Sequence, residues 1–171
     1  SAIKFSEDIL FMSLIIMILI TSVLQIFMPF FIYFIAYGFT NDPIKYDLAI
    51  NFSRITAPYI LLISLSSIGI AILNSLGRYF ASSFGPVIFN AVLVFILILP
   101  INNISSIGYL LSFGVTFSGI IQFLLIFYFL SKSGYRLNLR KPKNLNLINK
   151  FSTIARPQII TGLAIQANIV L

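Results

Sequence analysis

The chain predicts an all-α, polytopic transmembrane helix bundle of about five membrane helices, and three observations carry that prediction. Hydrophobic residues make up 59% of its 171 positions and charged residues only 9%, with a mean hydropathy of +1.04; a soluble domain is charged at about a quarter of its positions. The charges are also segregated, leaving uncharged runs at Ile9 to Asn41, Ile55 to Gly77, Tyr79 to Ser131 and Pro157 to Leu171. Finally, stops such as Gly77 and Pro100 cut these runs into pieces near the length needed to cross a bilayer.

The first element, helix A, spans residues 9 to 37. It would be about 43 Å long, more than the hydrocarbon core, so a tilt or a kink at Pro29 is expected. Ser6 is placed to cap it, with Glu7 and Asp8 in the first turn, where the helix dipole favours negative charge. Gln25 falls mid-span with Thr21 and Ser22 nearby, and an amide at that depth faces other helices or a wet cavity. An interhelical hydrogen bond with no transport role is the alternative. Residues 38 to 52, with Asp42, Pro43, Lys45 and Asp47, read as a polar turn segment. Arg54 reads as a snorkelling arginine at the bilayer edge.

Helix B covers Ala57 to Leu76, about 30 Å, with Thr56 as its cap, Pro58 in the first turn and Gly77 as a left-handed C-cap. Ser67, Ala71 and Ser75 recur every fourth residue and predict a groove where a neighbouring helix approaches closely. Helix C, from Pro86 to Leu99, gives only about 21 Å, so it begins several residues earlier; Pro100 ends it. Ile101 to Ser106 is an uncharged turn. Helix D then runs from about Ile107 to Leu130, with a small-residue stripe at Gly108, Ser112 and Thr116 that Gly114, Ser118 and Gly119 widen. Gln122 sits well inside it, again as either a helix-to-helix bond or a cavity group.

The first unit, 1–131, therefore holds four transmembrane helices. The second, 132–156, is a basic loop carrying Lys132, Arg136, Arg140, Lys141, Lys143, Lys150 and Arg156 with no acid. Leu147, Ile148, Phe151, Ile154 and Ala155 fall there at helical spacing, which predicts an amphipathic helix lying in the interface. The third unit, 157–171, opens helix E at Pro157 and is rich in polar groups, with Gln158, Thr161, Gln166 and Asn168. Its fifteen residues are about 22 Å of helix, short of a span, so the sequence is expected to continue.

Alternation of sides gives topology. Nine basic residues fall on the side of residue 1 and two, Lys45 and Arg54, on the other, so residue 1 and the loop 132–156 are cytoplasmic. The net charge of +7 belongs to the membrane surface, because no basic face exists outside the loops, and nucleic acid is excluded as a partner. With no Cys and no His, zinc sites, thiol nucleophiles and histidine acid–base chemistry are excluded. A membrane enzyme, such as a polyprenyl-phosphate glycosyltransferase, needs carboxylates to hold Mg²⁺ or act as base. The four acids, Glu7, Asp8, Asp42 and Asp47, all sit at span edges or in a loop. No catalytic residue, metal or cofactor is expected. A non-transporting assembly subunit would need only the small-residue stripes, and the polar residues of helix E count against it.

Three motifs carry a resemblance. Basic-Ile-Thr-x-Pro-Tyr-Ile-Leu-Leu-Ile-Ser-Leu at Arg54 to Leu65, Ile-Leu-Asn-Ser-x-x-Arg-Tyr at Ile72 to Tyr79 and Phe-x-Pro-x-x-x-Asn at Phe84 to Asn90 resemble the MurJ/MviN-type lipid II flippases of the multidrug/oligosaccharidyl-lipid/polysaccharide exporter superfamily. Gly119-x-x-Gln122 and Gln166-x-Asn168 agree with the same family. The resemblance implies part of a two-lobe exporter in the bacterial inner membrane, helices A to E being its third to seventh. It also implies a monomeric transporter that moves undecaprenyl-pyrophosphate-linked peptidoglycan precursor by alternating access, in contact with lipid II and membrane lipids. Gln166 and Asn168 are then the first candidates for cavity-lining, substrate-positioning groups, with Gln25 and Gln122 behind them; the family's cavity arginines lie outside this stretch. A related exporter of O-antigen or capsule units, or a multidrug antiporter, is the competing reading. A single cysteine at Lys141 of the full-length protein should react with an impermeant maleimide only after the cells are opened, and labelling in intact cells would reverse this topology.

Overall fold

The computed structural model describes residues 2–101 and 103–135. Helix E with Gln166 and Asn168, the interfacial helix expected at 147–155 and nearly all of the basic loop lie outside the described residues. Among the described residues every regular element is helical: α1 (Ala2–Ile35), a 3₁₀ turn (Tyr37–Asn41), α2 (Pro43–Thr56), α3 (Pro58–Ser75), α4 (Phe80–Ile98) and α5 (Ile104–Lys132).

Helix α1 begins at Ala2, so Ser6, Glu7 and Asp8 lie inside it and not at its cap or in its first turn. It bends where expected, with Phe27 at φ −95° and ψ 15°, two residues before Pro29. The proline ring lacks a donor and crowds the preceding turn, and the backbone relieves this just upstream.

The segment read as a polar turn is instead largely helix α2. Asp42 caps it by accepting from the Lys45 amide at 3.2 Å, Pro43 takes the first helical position, and Lys45 Nζ stands 3.0 Å from Asp42 Oδ2. The Lys45 side chain, with its amide, holds the Asp42 carboxyl below the ordinary carboxylate range. Tyr46, Ala49, Ile50 and Ala57 recur at helical spacing and pack on Leu24, Met28 and Ile32 of α1, which is what anchors the helix despite its charges. Thr56 is not a cap: it closes α2, and its hydroxyl donates back to the carbonyls of Phe52 and Ser53.

The stops match expectation. Gly77 adopts φ +73°, its amide donating to Asn74 O at 3.0 Å and the Arg78 amide to Leu73 O at 2.9 Å, a Schellman closure that a side chain would strain. Helix α4 starts upstream of Pro86, at Phe80, and ends at Ile98; Leu99 turns extended, as a residue before proline does. Helix α5 starts three residues ahead of the expected Ile107 because Asn103 Oδ1 accepts from the amides of Ser105 and Ser106.

The rods alternate in direction, with α2 and α3 forming one rod. Helix α5 is central, packing on α2, α3 and α4, while α1 packs on α2 and α3. Its stripe works as the sequence predicts: a Cβ on Gly108 would strike the Phe52 ring and one on Gly119 the Tyr59 ring. Buried Ser112 and Ser118 satisfy their hydroxyls on their own helix, at Gly108 O and Val115 O, so they pack as small residues at no polar cost. The stripe on α3 falls elsewhere. Ser67, Ala71 and Ser75 are exposed, and the face toward α5 is Ser66, Gly69 and Leu73. Helix α3 is apolar all round, so small-residue spacing alone does not select the packed face. Three stretches are long and apolar enough to cross a membrane, Ile3–Ile35, Pro43–Ser75 and Ile104–Lys132, with the shorter α4 beside them. At one end Ile72, Leu73, Ile126 and Leu130 form a buried cluster. Replacing fully buried Leu73 by Ala should cost about 2–5 kcal/mol and lower the thermal midpoint of the full-length protein in detergent; an unchanged midpoint would mean that this contact is absent.

Candidate functional site: polar joints between the helices

The joint between α2 and α3 is set by Pro58. A proline has no N–H, so the carbonyl four residues back, Arg54 O, has no donor from its own helix. Gln25 supplies one from α1, its Nε2 donating to Arg54 O at 2.7 Å. Next to it, Thr116 of α5 donates its hydroxyl to Ile55 O at 2.5 Å. Two side chains from two other helices thus close the backbone gap at the joint, as hydrocarbon demands. Tyr46 adds a third brace, its hydroxyl donating to Pro29 O at 2.7 Å near the bend of α1.

Gln25 is therefore an interhelical hydrogen-bonding group, one of the two roles its depth allowed. What it binds was legible only in part: Pro58 announces a freed carbonyl, but nothing in the sequence says which helix serves it. Arg54 itself lies within the rod. Helix continues on both sides of it, and its exposed side chain leaves the rod at the level of Gln25, about 15 Å from the end of α1.

Gln122 lies elsewhere, only 5% exposed, among α3, α4 and α5. It lines a cavity of about 20 Å³ with Ser66, Gly85 and Ile126 among its neighbours. The helix-to-helix bond that was one of its two expected roles is not made by its amide nitrogen, since Nε2 has no hydrogen-bond partner. Thr21 Oγ1 and Asn74 Oδ1 are likewise buried without one. Gln25 braces the joint between α2 and α3 while Gln122 faces a separate cavity, and Gln166 and Asn168 lie outside the described residues. No group of three or more acidic, His or Cys side chains that could hold a metal occurs among the described residues.

Long apolar rods of alternating direction, with polar side chains spent on one another's backbones, define a multi-pass membrane protein. Within that class the chain belongs to the lipid II flippase MurJ family, whose model, described as "Lipid II flippase MurJ", matches residues 1–171. It is 31% identical over 98% of its length to a probable lipid II flippase MurJ of Rhizobium meliloti (strain 1021) and 29% identical over 98% to one of Rhizobium tropici, covering 32% of each. It is also 28% identical, over 54% of its length and 18% of the relative's, to the lipid II flippase MurJ of Burkholderia cenocepacia. The chain thus spans about a third of the length of the Rhizobium relatives.

Gln25→Leu should destabilise the full-length protein by about 1 kcal/mol, the usual scale for an interhelical bond in a membrane. In a Pro58→Ala background, where residue 58 regains its N–H, the same change should cost clearly less. Equal cost in both backgrounds, measured as thermal midpoints, would show that Gln25 does not serve the freed carbonyl.

Proposed function

We propose that the chain forms most of one lobe of a flippase that carries lipid II, an undecaprenyl-pyrophosphate-linked peptidoglycan precursor, from the inner to the outer leaflet of the bacterial cytoplasmic membrane. The observation that carries this reading is family membership over the whole chain. The physics fits it. A pyrophosphate headgroup cannot enter hydrocarbon unaided, because burying unpaired charge costs far more than thermal energy, so transport needs a polar cavity between lobes that rock.

A rocking lobe must hold together while it moves, and the braces at Arg54 O, Ile55 O and Pro29 O do this without relying on a hydrophobic force that lipid does not supply. The protein acts as a monomeric transporter with no catalytic residue or cofactor, and residue 1 and the loop 132–156 face the cytoplasm. Gln166 and Asn168 position the substrate in the cavity; Gln25 and Gln122 contribute by setting the joints behind it.

The test is rescue of a flippase-depleted Gram-negative strain by the full-length gene, scored by lipid II reaching the outer leaflet. Growth with lipid II exposed supports the reading. Failure to expose it, with export of an O-antigen or capsule unit restored instead, would overturn it in favour of a related exporter.

A further inference from the structure

The cavity beside Gln122 carries an inference independent of transport. Its walls come from three helices: Ile63, Ser66 and Ile70 of α3, Gly85 and Ile88 of α4, and Gln122, Leu125 and Ile126 of α5. At about 20 Å³ it holds one water molecule and nothing larger, since about 10–15 Å³ suffices for a single water. Its volume alone would say little, because apolar cavities stay dry. This one is not wholly apolar.

Gln122 is 95% buried and its Nε2 donors have no protein acceptor. An amide left so in a low-dielectric interior costs free energy that one hydrogen bond recovers. Ser66, 1% exposed, lies across the cavity; its hydroxyl proton is used on Leu62 O at 2.8 Å, which leaves the oxygen lone pairs free to accept. On the α4 side Gly85 admits the amide, since a Cβ there would come within 3.0 Å of Gln122 Oε1. One residue on, Pro86 has no N–H to give the carbonyl of residue 82, a further acceptor of the kind that water serves inside membrane helices.

We propose that this cavity is a binding site for a single ordered water molecule that accepts from Gln122 Nε2 and donates to Ser66 Oγ, linking α5 to α3 beside the Gly85–Pro86 step of α4. A neutral donor–acceptor of that size is the class the site takes. Its walls carry no anionic oxygen for a cation and no cationic group for an anion. The water ties α5 to α3 next to α4, which packs mainly on α5 and meets α3 only lightly.

Radiolytic hydroxyl-radical footprinting of the full-length protein in nanodiscs reads this directly, because bound water generates radicals in place and labels the side chains around it. Ile126, 3% exposed and on the cavity wall, should be labelled several-fold faster than Leu130, 1% exposed in the same cluster, after correction for intrinsic reactivity. Gln122→Leu should bring Ile126 down to the Leu130 rate, and Ser66→Ala should lower it at least twofold. Equal rates for Ile126 and Leu130 in the unmodified protein would overturn the proposal, whether or not the variants fold. So would an Ile126 rate that Gln122→Leu leaves unchanged.

Discussion

A backbone carbonyl freed inside hydrocarbon has to find a donor, and the described bundle is organised by how that demand is met at Pro58. The helix cannot serve Arg54 O, because Pro58 has no N–H to give. Gln25 does so from α1, while Thr116 reaches Ile55 O from α5. These two bonds fix which helices flank the joint and at what height, the depth of α1 through the carbonyl that Pro58 frees and the register of α5 through the carbonyl next to it. The neighbouring contacts agree with that register, Met28 and Ile32 meeting Ile50 on one side and Gly108 and Gly119 meeting Phe52 and Tyr59 on the other.

Apolar packing has a different task here from its task in water. Lipid tails solvate leucine as well as a neighbouring helix does, so close approach and polar braces hold the rods together. Helix α5 shows both, with buried Ser112, Gly114, Ser118 and Gly119 on its contact face and Thr116 among them. Exposed Ile18, Leu19, Ile26, Phe30 and Phe34 on α1 give that helix a broad apolar surface suited to lipid or to the further helices of a longer protein.

Much of this was legible in the sequence, because uncharged runs, a left-handed glycine and proline stops are local signals. The kink near Pro29, the closure at Gly77, the end of α4 before Pro100 and the stripe on α5 all follow from residue chemistry at one place. Helix α2 was hidden by its own charges: Asp42, Lys45, Asp47 and Arg54 give the segment a loop's composition, although Asp42-Pro43 is a helix-start pair and Tyr46, Ala49, Ile50 and Ala57 hold helical spacing. The packed face of α3 was not recoverable, since Ser66 and Gly69 carry as little bulk as Ser67 and Ala71 on the other side. The polar joints depend on which helix lies across the way, and that is a tertiary fact: Gln25 and Gln122 look alike in sequence, yet one finds a carbonyl and the other faces a cavity.

The measurement that tests the central claim most directly is a cryo-electron microscopy map of the full-length protein in a lipid nanodisc, fine enough to place the side chains around Pro58. The account predicts a rod that stays helical through Ala57–Pro58, with the Gln25 amide and the Thr116 hydroxyl seated on the carbonyls of Arg54 and Ile55. Gln25 turned toward the acyl chains, with Arg54 O left without its donor, would contradict it.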